Sequence, residues 1–218
     1  MILKASVLAR NESYLKRPDS WMAVLFSDHI GVLVTRILMT YFPSVTPTLV
    51  TFFSMVPRLI AVYFFAEGSY RLAGVAYLIG LVLDGVDGKL SRATKKGSLL
   101  GANLDFSFDV LTQGLLIGAI VQQEGMPSLV AGSLVGIVVA CMVTKGQELN
   151  EFKRALSQRP GTLRSAAFAH PTLVDSQFVA FGLVPLLAPG YVLIGLYLMV
   201  AYHALAWLVK LRVLASRP

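Results

Sequence analysis

The sequence predicts an all-α polytopic membrane protein: six transmembrane helices preceded by an N-terminal interfacial amphipathic helix, with both termini cytoplasmic. Three observations carry this. Of 218 residues, 56% are hydrophobic and only 14% charged, where soluble domains carry about 25% charged residues. Six apolar stretches approach the roughly 20 residues that cross about 30 Å of hydrocarbon. Seventeen of the 19 Lys and Arg residues fall on one side of the resulting layout. With a mean hydropathy of +0.68, so few charges cannot clothe a soluble globule, which excludes a cytosolic enzyme. The length suits one domain over 1–218, with residues 1–45 as the interfacial segment and 46–218 as the bundle.

Residues 1–9 are apolar, but Arg10, Asn11, Glu12, Lys16 and Arg17 follow where a signal-cleavage site would lie, so a cleavable signal is not expected. Asn11-Glu12-Ser13 matches a glycosylation sequon by chance. The stretch 30–42 is apolar but short, contains Arg36, and follows a mixed segment with Trp21 and Phe26. That pattern fits a helix lying in the membrane interface; a seventh span is the alternative. The six spans are then 46–66, 70–83 (continuing toward Arg92), 101–122, 127–144, 173–187 and 191–209. Gly68, Gly125-Met126-Pro127 and Ala188-Pro189-Gly190 break the chain between the members of each pair. Cys141 is a lone cysteine in an apolar run, so an intrachain disulfide is excluded.

Charge orients the layout. The N-terminus, the 89–100 loop, the 145–170 loop and the C-terminus hold the 17 basic residues, while Arg71 lies opposite and Arg58 inside the first span. The positive-inside rule makes the basic side cytoplasmic. The net charge of +7 accordingly reads as loops held at an anionic membrane face, with no nucleic-acid partner. Internal repeats and low-complexity segments are not evident.

Within this charge-poor chain, residues 84–109 hold Asp84, Asp87, Asp105 and Asp109, a third of the 12 acidic residues. A carboxylate at a membrane helix centre costs about 2.5–3.5 kcal/mol on insertion scales, less near its edge, so carboxylates there point to function. Asp84 and Asp87 stand at i, i+3 and Asp105 and Asp109 at i, i+4, so each pair shares one helix face. Antiparallel neighbours joined by a short loop can bring those faces together. Four converging carboxylates require protonation or divalent cations, and all-oxygen ligands favour Mg²⁺, Mn²⁺ or Ca²⁺ over zinc. Taken singly, each pair reads equally well as a helix cap or as an ion pair with Lys89, Arg92 or Lys95.

The neighbours fit a diphosphate. Gly85, Gly88 and Gly101 allow close approach to the backbone, although tight helix packing also uses glycine. Ser91 is small, and Arg92 offers a planar fork for phosphate.

The run Asp84-x2-Asp87-Gly88-x2-Ser91-Arg92, eight residues, Gly101-x3-Asp105-x3-Asp109 resembles the signature of the CDP-alcohol phosphotransferase (CDP-alcohol phosphatidyltransferase) family. Every spacing agrees, and Ser91 stands where the family has alanine. Thr46-Pro47-Thr48 is similar to a Thr-Pro-Asn element of many members. The resemblance implies transfer of a phosphatidyl or related phospho-alcohol group from a CDP-linked donor, such as CDP-diacylglycerol, to an alcohol, releasing CMP. It implies that Asp84, Asp87, Asp105 and Asp109 hold two Mg²⁺ (or Mn²⁺) ions and that Asp109 is also the general base. It further implies that Gly88, Ser91, Arg92 and Gly101 receive the CDP donor, and that the protein is a homodimer in the cell membrane with its active site facing the cytoplasm.

The acceptor is less legible. The 145–170 loop carries Lys145, Lys153, Arg154, Arg159 and Arg164 against Glu148 and Glu151. That excess follows from positive-inside bias, or else lets Lys145, Arg154 and Arg159 bind an anionic acceptor such as inositol phosphate or glycerol phosphate. Relatives using inositol phosphate carry Arg-Pro-x-Arg here, whereas this chain has Arg159-Pro160-Gly161-Thr162, with the next arginine at 164. Arg58 could serve a lipid or carboxylate but suits pairing with a nearby acid better. His170 and Asp175 could touch the acceptor or cap the fifth span. The rival functions are an aspartate-rich membrane prenyltransferase, for which 218 residues are few, and a divalent-cation transporter, which would place its acids near the midplane of a repeat-symmetric bundle.

Overall fold

The computed structural model describes residues 19–140, 169–170 and 173–215. Among them the chain is almost wholly helical. A π-helical turn, Ala23–Ser27, leads into α1, Asp28–Tyr41. The following helices are α2, Pro47–Ala66; α3, Tyr70–Thr94; α4, Leu99–Gln123; and α5, Ser128–Ala140. Helix α6, Val174–Leu187, contains a π-helical stretch at Phe178–Leu183, and α7 is Val192–Ala215. Extended structure is limited to a parallel pairing of Asp19–Ser20 with Ala169–His170.

Each of the six apolar stretches falls on a helix, the fourth within its described part. Helices α2, α4 and the segment Pro189–Leu208 are long and apolar enough to cross a membrane. Helix α3 has the length, but Asp84, Asp87, Lys89 and Arg92 occupy its second half. Helices α5 and α6 are shorter apolar helices as described. At 14 residues, α1 reaches about 21 Å, short of the roughly 30 Å of hydrocarbon. Its inward residues are Asp28, Gly31 and Thr35, while Ile30, Leu33, Ile37 and Tyr41 are exposed. That pattern inverts a soluble amphipathic helix and suits an apolar surround. Leu115, Leu198 and Leu205 are exposed on α4 and α7 in the same sense.

Local signals set the helix starts. Thr46 caps α2, its Oγ1 accepting from Leu49 N at 3.3 Å, with Pro47 at the first helical position. Ser98 caps α4 by accepting from Gly101 N at 2.9 Å. Between them α3 ends at Lys95 in the left-handed region (φ 57°).

The main core joins α2, α3, α4, α6 and α7 through Phe65, Tyr77, Leu116, Ile120, Phe181 and Leu196. Phe181 stands edge-on to Tyr77 and to Phe65, with ring centroids 5.5 and 6.3 Å apart. Each such edge-to-face pair contributes about 0.5–1.5 kcal/mol. A Cβ on Gly74 would meet Gly182 O at 2.7 Å, so glycine is what lets α3 and α6 touch. A smaller cluster of Val50, Val86 and Leu90 joins α1, α2 and α3 at the end of the bundle that carries the aspartates. Helix α2 is the close neighbour of both α3 and α4, so the two acid-bearing helices meet across it.

Candidate metal centre

The second half of α3 and the first half of α4 deliver the four aspartates. Carboxylate oxygens of Asp84, Asp105 and Asp109 all lie within 4.8 Å of one another. Asp87 is turned toward α2, where its Oδ2 accepts from Thr51 Oγ1 at 2.5 Å and where it is buried. The helical spacing of the two pairs therefore does bring acids from both helices together, three in one group and the fourth anchored beside it.

Arg58 of α2 completes the group. Its Nη1 donates to Asp109 Oδ1 at 2.7 Å, and its Nη2 lies 2.6 Å from Asp84 Oδ1. The side chain is 5% exposed. Of its two sequence readings, pairing with acids is the one realised. Its stem crosses Gly80, where a Cβ would sit 2.5 Å from Arg58 Cγ and 3.2 Å from Ser54 O. Pro57, just before it, removes one backbone hydrogen bond from the middle of α2. A cavity of about 30 Å³ adjoins Arg58, bordered also by Asp84, Asp109, Thr112, Gln113 and Gln177. That volume holds one or two waters.

The donor set suits a hard divalent cation. Three carboxylates within coordination reach offer oxygen alone, and Asp105 Oδ1 is buried without a hydrogen-bond partner. A buried acceptor left without a donor is what a coordinating oxygen looks like before its cation.

The other motif residues lie on the same two helices. Arg92 is exposed, and its guanidinium lies over Gly88, where a Cβ would stand 3.3 Å from Nη1. Gly88 is thus covered by a flexible side chain of its own helix, as is Gly85, where a Cβ would stand 3.3 Å from Lys89 Nζ. A Cβ on Gly101 would meet Thr48 Oγ1 at 3.0 Å, and one on Gly85 would lie 3.6 Å from Ser27 Oγ. Thr48 of the Thr-Pro-Thr element therefore stands against the second motif glycine. Ser91 is half-buried, its Oγ 2.6 Å from where a Cβ on Gly97 would be.

Lys145, Arg154 and Arg159 lie outside the described residues, as do Cys141 and most of the 145–170 loop. Asp175 reaches the N-terminal turn: its Oδ1 accepts from Met22 N at 2.6 Å. Three contributors were not singled out from sequence. Thr51 binds Asp87, while Thr112 and Gln113 follow Asp109 by three and four residues on one face of an apolar helix. Two polar residues on that face, one turn from an aspartate, were the available signal. Thr51 offered none.

Comparison with known proteins gives a consistent picture. The CDP-alcohol phosphatidyltransferase family model matches residues 44–211. The archaetidylinositol phosphate synthase of Pyrococcus horikoshii is 35% identical over 86 residues, 37% of this chain. The chain spans about half the length of that relative, 46%. Two crystal structures of Mycobacterium tuberculosis phosphatidylinositol phosphate synthase share the fold. The complex with manganese and citrate is 18% identical with a TM-score of 0.56, covering 86% of this chain and 90% of that one. The complex with CDP-DAG is 17% identical with a TM-score of 0.55, covering 87% and 96%.

Proposed function

The chain belongs to the CDP-alcohol phosphatidyltransferase family, and from that premise we propose that it is a membrane enzyme of phospholipid biosynthesis. It transfers a phosphatidyl or related phospho-alcohol group from a CDP-linked donor, CDP-diacylglycerol or a close analogue, to an alcohol and releases CMP. The single observation that carries this is the gathering of Asp84, Asp105 and Asp109 within 4.8 Å inside the motif that also sets Gly88, Arg92 and Gly101. Transporter and prenyltransferase readings have no comparable support.

Asp84, Asp105 and Asp109 would hold Mg²⁺ or Mn²⁺, with Asp87 at the second position of a two-ion site; the manganese complex of the Mycobacterium protein supports that choice. Bound there, the ions would neutralise the donor diphosphate and the departing CMP. Arg92, exposed beside Gly88, meets the donor phosphates. Gly88 and Gly101 leave the backbone open to the nucleotide, with Ser91 filling the small position between. Asp109 takes the proton from the acceptor hydroxyl. The acceptor oxygen bonds to the lipid-bearing phosphorus as the bridging P–O bond breaks, and CMP carries off that electron pair.

The bundle crosses the cell membrane six times with α1 in the interface, and the aspartates and both termini face the cytoplasm. A homodimer is the expected assembly. The acceptor is an alcohol, with inositol phosphate first in line, because both named relatives make inositol-phosphate lipids. Lys145, Arg154 and Arg159 would bind its phosphate. The departure from Arg-Pro-x-Arg after Pro160 keeps glycerol phosphate, inositol, serine, choline and ethanolamine in the comparison.

The test is incubation of purified protein with labelled CDP-diacylglycerol, Mg²⁺ and each acceptor in turn. CMP release by the wild type, lost in Asp109→Asn and on chelation, supports the assignment. No CMP from any CDP donor, together with metal uptake into vesicles, would overturn it in favour of a transporter.

A further inference from the structure

Arg58 lies outside the aspartate motif, yet both of its terminal nitrogens are engaged by that motif's acids: Asp109 at 2.7 Å and Asp84 at 2.6 Å. The same two carboxylates belong to the group suited to a cation. A divalent ion needs carboxylate oxygens at about 2.0–2.6 Å. A guanidinium on those oxygens competes with it for lone pairs and repels it.

The surroundings of Arg58 offer it somewhere else to go. The cavity beside it is bordered by Thr112 and Gln113, 2% and 5% exposed, as well as by Asp84 and Asp109. Thr112 Oγ1 and Gln113 Oε1 are both buried without a hydrogen-bond partner, as is Arg58 Nε. Buried acceptors without donors are costly and uncommon in native proteins. Here two of them adjoin one cavity with a donor-rich side chain at its wall.

We propose that Arg58 is the resident counter-cation of the metal-free site, and that cation binding displaces its guanidinium from Asp84 and Asp109 into this cavity, where Gln113 Oε1 and Thr112 Oγ1 accept from it. The metal-free protein thereby avoids leaving several uncompensated carboxylates in an apolar bundle. The metal affinity then becomes the difference between two occupants of one place. Arg58 is thus a positioning residue that sets how readily the centre loads. The inference rests on reading the aspartates as a metal site.

The experiment titrates Mn²⁺ into the purified full-length protein in detergent and reads free Mn²⁺ by electron paramagnetic resonance. Arg58→Met is expected to bind Mn²⁺ about tenfold or more tightly, because the competitor is gone. Thr112→Val combined with Gln113→Leu keeps Arg58 on the acids but removes its alternative partners, and is expected to bind about threefold or more weakly. A purely structural role would weaken both. Unchanged or weaker binding by Arg58→Met overturns the proposal, as does unchanged or tighter binding by the double variant; if Arg58→Met does not fold, Arg58→Gln, which also removes the charge, takes its place under the same expectation. Failure of the metal reading is separately visible: the wild type would bind no Mn²⁺, or Asp105→Asn would bind it as tightly, and the proposal would fall with that reading.

Discussion

Lys89 of α3 and Asp28 of α1 form a buried ion pair, Nζ to Oδ1 at 3.0 Å, with side chains 4% and 8% exposed. Lys89 also donates to Gly85 O at 3.1 Å. Gly31 lets α1 close over it, since a Cβ there would stand 3.1 Å from Lys89 Nζ. The pair ties α1 to the turn of α3 that carries Asp84 and Asp87. Removing one partner strands a buried charge, which costs about 3–5 kcal/mol, whereas replacing both with apolar groups is often near neutral. Lys89→Met alone and Asp28→Leu alone should each lower the unfolding temperature in detergent sharply, and the double variant should recover most of the loss. Additive losses in the double variant would show that the pair is not what holds α1.

Thr51 gives Asp87 its hydrogen bond from α2, at 2.5 Å. Hydrogen bonds to charged groups contribute about 1.5–3 kcal/mol. If that bond holds Asp87 in the orientation that binds a cation, Thr51→Val should lower kcat/KM for CMP release by about 10–100-fold at unchanged folding. Thr51→Ser should keep most of the activity. Equal losses in Val and Ser variants would point to packing rather than the hydroxyl.

Much of this site was legible because its signals are local. The i, i+3 and i, i+4 spacing of the aspartates sets their helix faces, and Thr46-Pro47 and Ser98 mark helix starts by their capping chemistry. The apolar runs found the helices with starts within two residues, while α3 runs on to Thr94 and α7 to Ala215, past the ends at 83 and 209 that hydropathy alone sets. What stayed hidden depends on chain-distant packing. Nothing near Asp28 announces Lys89, 61 positions on, and nothing near Asp175 announces Met22 N, which donates to it. Arg58 could be placed beside an acid but not assigned Asp84 and Asp109, because its reach across Gly80 depends on how closely α2 and α3 pack.

That closeness makes Gly80 a sensitive position. A methyl group there would lie 2.5 Å from Arg58 Cγ and 3.2 Å from Ser54 O, and backbone cannot step aside as a side-chain tip can. Overpacking of this kind costs about 1–3 kcal/mol, so Gly80→Ala should lower thermal stability in detergent and weaken CMP release together. Gly118 is the control: nothing lies within 4 Å of a Cβ there. Gly118→Ala should be neutral or stabilising by up to about 1 kcal/mol from helix propensity. Equal behaviour of the two variants would mean that α2 and α3 are not held at contact distance.

Gly88 separates donor binding from folding. The nearest atoms to a Cβ there are the guanidinium nitrogens of Arg92, at 3.3 and 3.7 Å, the far end of a flexible and exposed side chain. Arg92 can shift by a few tenths of an ångström without moving a helix, so Gly88→Ala should leave thermal stability within about 0.5 kcal/mol of the wild type. If the nucleotide of the CDP donor lies against the Gly88 backbone, the added methyl group occupies its space. The expected result is a KM for the CDP-linked lipid raised by about tenfold or more, with the KM for the alcohol acceptor unchanged. Gly101→Ala differs, because Thr48 Oγ1 at 3.0 Å and Ser98 Oγ at 3.1 Å belong to helix starts that cannot yield freely, so stability and donor affinity should fall together. An unchanged donor KM in a well-folded Gly88→Ala protein would place the nucleotide elsewhere and leave Gly88 as a seat for Arg92 alone.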